Sequence, residues 1–79
     1  MPVVLRVGRY KFSFFAGDKL EPPHIHAKAG GNEAKFWLDS IQLVVNHGFK
    51  PHELNEIEKI VKKHQTLLQK AWRKYFDEK

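Results

Sequence analysis

Val3, Leu5 and Val7 alternate with Val4 and Arg6 at the start of the chain, the period of two that marks a strand. Gly8-Arg9 follows as a two-residue turn, with glycine in the first central position as a type II′ turn requires. Tyr10, Phe12 and Phe14 then line one side of a second strand. This turn sets Val7 opposite Tyr10, Leu5 opposite Phe12 and Val3 opposite Phe14, so every pair on that side is apolar. Gly17-Asp18 closes the second strand, and Glu21-Pro22-Pro23 reads as a stiff, extended approach to a third. The third strand is expected over residues 24–29, with a turn at Gly30-Gly31 and a fourth strand over 32–38.

That register gives the two sides of the second hairpin different characters. Ile25 falls opposite Phe36 and Ala27 opposite Ala34, an apolar side suited to a core. On the reverse side His24 falls opposite Trp37, His26 opposite Lys35 and Lys28 opposite Glu33. Residues 41–45 read as a fifth strand or a short helical turn, and His47-Gly48-Phe49 breaks that run. From Pro51, a favoured first helical residue, Leu54, Ile57, Val61, His64, Leu68, Ala71 and Tyr75 recur at spacings of three and four. Nothing between residues 51 and 76 is Gly or Pro. The pattern predicts one helix of about 25 residues, about 38 Å long at 1.5 Å per residue. This exceeds the sheet beneath it, so the C-terminal helix is expected to overhang and to offer a homodimer contact.

The fold class expected is therefore α+β: a small antiparallel sheet of four or five strands packed against one long C-terminal helix, in a single domain over residues 1–79. Seventy-nine residues with 42% hydrophobic and 13% aromatic content suit a small globular unit. Zero cysteines exclude a disulfide framework and a cysteine-ligated zinc site. No apolar stretch approaches the ~20 residues of a membrane span, and a secretory leader is missing, so a cytoplasmic location is expected. The formal net charge of +5 favours an acidic partner such as RNA, although extra lysines also serve solubility.

His24-Ile25-His26 is the sharpest chemical feature, because histidines two apart on a strand project to one side. Three readings remain open for the pair. They are structural rings beside Trp37; an acid–base pair with Lys35 as electrostatic partner, as in a metal-free ribonuclease; or metal ligands together with Glu21. Lys28, Glu33 and Lys35 form either cross-strand ion pairs or a basic patch, with Trp37 as a stacking surface or a packed side chain. Acids early and bases late in the helix complement its dipole. Gly30-Gly31 lacks the Lys-Ser/Thr of a phosphate loop, and neither Ser13 nor Ser40 sits in a triad pattern.

Pro2-Val3-Val4-Leu5-Arg6-Val7-Gly8, Glu21-Pro22-Pro23-His24-Ile25-His26 and Glu33-Ala34-Lys35-Phe36-Trp37-Leu38 together resemble a small bacterial family, domain of unknown function 4160. The Gly48-Phe49 break and the ending Ala71-Trp72-Arg73-Lys74-Tyr75-Phe76 resemble it too. The resemblance spans nearly the whole chain and implies a setting: compact operons shared with a second small family, in the manner of a toxin–antitoxin pair. It implies a small operon-encoded protein partner and carries no established activity. Matched residue by residue, it points to Arg6, Glu21, His24, His26, Glu33, Lys35 and Trp37. Lys50 stands where the helix would favour a serine-like cap, which predicts a weak N-terminus.

Taken together, the expected site has His24, His26 and Lys35 in catalytic roles and Arg6, Glu21, Lys28, Glu33 and Trp37 in binding roles, with no metal and no cofactor. The leading function is a toxin–antitoxin-type component that acts on or binds RNA. The alternative is a non-enzymatic protein-interaction module.

Overall fold

The structure is a computed structural model, and it describes residues 3–14 and 20–76. Five strands, β1 (Val3–Val7), β2 (Tyr10–Ser13), β3 (His24–Ala29), β4 (Asn32–Trp37) and β5 (Leu43–His47), precede two helices, α1 (Pro51–Lys63) and α2 (Gln65–Phe76). The strands form one antiparallel meander in the order β1-β2-β3-β4-β5. Each strand therefore pairs with its sequence neighbour, and two-residue turns join β1 to β2 and β3 to β4. The turn expected at Gly17-Asp18 lies outside the described residues.

The first hairpin follows its turn. Gly8 carries a φ of 58°, accessible to glycine without steric cost, and Val7 pairs with Tyr10 and Leu5 with Phe12. The expected third pair does not form. An irregularity between Val3 and Leu5 shifts the register, and Val3 pairs with Ser13 instead of Phe14. Phe14 is fully buried, whereas Val3 at the sheet edge is 44% exposed. The second hairpin has the expected register throughout, from His24 opposite Trp37 to Ala29 opposite Asn32. Residues 21–23 form a bend, where an extended approach was expected. The fifth strand spans Leu43–His47, two residues later than expected at both ends, and His47, expected to break the run, is its last member.

The core occupies one side of the sheet. Phe12, Phe14, Ile25, Ala27, Ala34, Phe36 and Leu38 are essentially sealed from solvent, together with Ile57, Val61 and Leu68 from the helices. Each large side chain buried here contributes on the order of 1.5–3 kcal/mol. Phe49, from the segment after β5, meets Tyr10 edge-on at 6.0 Å.

The single long helix is corrected to two. At His64 the backbone leaves helical geometry, with φ −106° and ψ 18°. The Ile60 carbonyl accepts from both the His64 backbone N–H at 3.0 Å and its ring Nδ1 at 2.9 Å. The Ile60 carbonyl thus takes two donors from one residue, at a break between helices that sequence spacing does not reveal. The last turn of α2 lies against Phe14, whose ring stands 5.2 Å from Trp72 and 6.0 Å from Phe76. Gln65 donates to the Leu38 carbonyl at 2.6 Å and Gln69 to Asp39 at 2.9 Å, tying α2 to the end of β4.

The N-terminus of α1 is better held than Lys50 suggested. Glu53 accepts from the Lys50 backbone N–H at 2.8 Å, one half of a capping box, and its other oxygen takes the Arg9 guanidinium. The Lys50 backbone hydrogen bond, followed by Arg9, holds the Glu53 carboxyl below the usual range against the opposing effect of burial. Beside it the Tyr10 hydroxyl donates to Glu56 at 2.7 Å. Burial first, and then this hydrogen bond, raises the Tyr10 phenol above its ordinary value.

Candidate functional site

Side chains alternate across a sheet, so the pairing places on the side opposite the core a row Arg6–Lys11–Lys28–Glu33–His47. Next to it runs Ser13–His26–Lys35–Val45, and beyond that the pair His24–Trp37. All eight expected site residues except Glu21 fall in these rows, and Glu21 reaches them from the bend before β3.

His24 and His26 differ sharply in setting. The His24 ring is sealed from solvent and packed among three other rings: His26 at 5.1 Å, Trp37 at 5.7 Å and Trp72 at 5.2 Å. Its Nδ1 donates to the Pro22 carbonyl at 2.9 Å, so the bend that precedes the strand fixes the ring. Any reagent in solution meets this pair only through His26. That side chain is 8% exposed, and its Nδ1 lies 3.1 Å from the Glu33 Oε2. With Nδ1–H donated to the carboxylate, the neutral ring keeps Nε2 as its acceptor.

Lys35 pairs directly across from His26. Its ammonium donates to Glu21 at 2.7 Å and stands 5.4 Å from the centre of the Trp37 ring, a cation–π distance. The same Glu21 oxygen lies 3.7 Å from the His24 Nδ1, so Glu21 links Lys35 to the histidine pair. His26, Glu33, Lys35, Val45 and His47 surround a shallow depression of about 200 Å³.

His47 and Lys11 are members of this side that sequence reasoning missed. His47 was read as a strand breaker; only the placement of β5 brings it opposite Glu33. Lys11 was legible in principle, since it alternates with Tyr10 and Phe12. Among the described residues, no three His, Cys, Asp or Glu side chains gather to hold a metal ion. None of their helices is long and apolar enough to cross a membrane.

A five-stranded antiparallel meander followed by two helices, with a histidine-bearing, lysine-rich side opposite the core, defines an α+β domain. The family model described as domain of unknown function DUF4160 matches residues 9–73, and the chain belongs to that family. No curated protein and no solved structure matches it.

Proposed function

We propose that this protein acts on RNA through the His26 side of its sheet, as one member of a toxin–antitoxin-type pair. The observation that carries the reading is the His26–Glu33 contact at 3.1 Å beside Lys35, at the edge of a depression. A carboxylate that accepts from Nδ1 orients the ring and supports the imidazolium that forms when Nε2 takes a proton. The reaction such a group suits is internal transesterification of RNA. His26 removes the 2′-hydroxyl proton, the 2′-oxygen bonds to the adjacent phosphorus, and the bond from phosphorus to the 5′-oxygen breaks, with solvent returning a proton to the leaving oxygen. Lys35 offsets charge on the phosphoryl oxygens. His24 is a positioning residue, since it touches His26 and is sealed from solvent. Glu21 sets the Lys35 ammonium.

The test is cleavage of single-stranded RNA by the purified protein, alongside His26→Ala and Lys35→Ala. Cleavage lost in His26→Ala supports the reading, whereas equal cleavage by wild type and variant, or none by either, removes it. Growth arrest on expression, relieved by His26→Ala and by the operon neighbour, addresses the pairing.

A second reading, the protein-interaction module, is favoured by β5. It is an edge strand on which Leu43 and Val44 are 43% and 37% exposed. Such a strand accepts an added strand from a partner. A homodimer through α2 rests on exposed Leu67 and Tyr75. Binding of the operon neighbour that survives His26→Ala but fails in Val44→Lys would favour this module.

A further inference from the structure

Arg6 and Lys11 set two cations directly opposite each other, an electrostatic cost that the fold itself does not require. Arg6 is the direct partner of Lys11, and Lys11 of Lys28, so three cations occupy successive cross-strand positions on one side of the sheet. Like charges placed directly opposite destabilise a sheet, and a strand pair gains more from opposite charges there. Arg6 and Lys11 are exposed and Lys28 is half-buried, so the charges reach solvent. The first acidic member of the row is Glu33, and its carboxylate is held by His26. A row of this kind suits a partner that brings regularly spaced negative charge.

Its direction matters as much as its sign. Adjacent strands lie about 4.8 Å apart, so the three cations span about 10 Å perpendicular to the strands. Continuing along the same row, the next two members are Glu33 and His47, which line the depression that holds His26 and Lys35. The cations therefore lead from the β1 edge to the candidate site. A strand whose phosphates follow the row arrives with its next backbone unit at that depression. Trp37, half-buried on the same side beyond Lys35, adds an aromatic surface of the type that single-strand binders stack bases upon.

We propose that Arg6, Lys11 and Lys28 form a phosphate track for single-stranded RNA, delivering the chain to the His26 depression. The substrate class deepens the proposed function and rests on it, while the track itself stands on the register alone. A flexible single strand can lie along a row one residue wide and dip into a shallow depression at its end. A rigid duplex cannot follow both.

The experiment is fluorescence anisotropy with a single-stranded RNA whose 2′-hydroxyls are methylated, so that binding is read without cleavage, over a series of salt concentrations. Neutralising one phosphate contact reduces the slope of log affinity against log salt by about 0.7 for single strands. Arg6→Gln and Lys11→Gln should each lower the slope by about that amount, and the double variant by about twice it. Both residues are exposed, and circular dichroism verifies that the variants fold. A Lys62→Gln control, exposed on α1 and outside the row, should keep the wild-type slope. Slopes unchanged in Arg6→Gln and Lys11→Gln overturn the track. Equal binding of a duplex of the same length, with the same slope, overturns the single-strand assignment. Cleavage of unmodified RNA is measured separately. Slopes that fall as expected without any cleavage leave the track standing and remove the catalytic reading. Cleavage with unaltered slopes does the reverse.

Discussion

The Glu33 carboxylate lies 3.1 Å from the His26 Nδ1, although its direct cross-strand partner is Lys28. The carboxylate accepts from Nδ1, so whenever the ring is neutral the contact favours the tautomer with its hydrogen on Nδ1. Glu33→Ala should release that choice and shift the neutral ring toward the Nε2–H form, seen in the ¹⁵N chemical shifts of His26. Under the proposed function, RNA cleavage should fall by about 10–100-fold, the scale on which losing an orienting partner acts. A ring that keeps its tautomer in Glu33→Ala would show that the carboxylate does not set it.

Gly48 has a φ of 102°, and a Cβ there would meet the Asn32 Oδ1 at 2.2 Å. Two costs combine in Gly48→Ala, a backbone region disfavoured for side chains and a clash with Asn32. We expect a loss of about 1–3 kcal/mol in urea unfolding. Asn32→Ala in that background should recover the clash and leave the backbone cost. Full recovery would assign the whole effect to Asn32.

Glu53 gives stability a defined acid limb. Its folded pKa lies below the unfolded value of about 4.3, because its carboxylate is bonded to the Lys50 N–H and to Arg9. The contribution is therefore present above the unfolded pKa and lost as pH falls through the folded one. Glu53→Gln should flatten the decline in unfolding midpoint below about pH 4.3, relative to wild type. An identical decline in the two proteins would show that another carboxylate controls it.

Tyr10 acts at the opposite end of the scale. Burial and the hydrogen bond to Glu56 raise its phenol above the ordinary value of about 10. Stability from this contact is present below the unfolded pKa and is lost as pH rises through the folded one. Ultraviolet titration at alkaline pH should show a late-ionising phenol that is absent from Tyr10→Phe. Its persistence in the variant would place it elsewhere.

Trp72 is 5% exposed, and its ring meets Phe14, Phe76 and His24. Trp72→Ala should cost about 3–5 kcal/mol, enough to unfold much of a domain this small. Trp72→Phe keeps part of the packing and allows the readout in a folded protein. Its His24 ring resonances should move, which links the end of α2 to the histidine pair. Unmoved His24 resonances would break that link.

The sequence by itself determined the second hairpin in full, because Gly30-Gly31 permits one tight register and Ile25, Ala27, Ala34 and Phe36 leave only one side fit for a core. It likewise determined which residues share the reverse side, since a strand's period of two has no other solution. The tertiary structure decided what periodicity does not encode. The long apolar stripe is divided into two helices at His64, whose backbone leaves helical geometry while its ring bonds the Ile60 carbonyl. The packing of α2 brings Trp72 against His24, making one histidine a buried support and leaving the other beside the depression. His47 and the cation row depend on the registers of β2 against β3 and of β4 against β5, which no two-residue turn fixes, and only the assembled sheet supplies them.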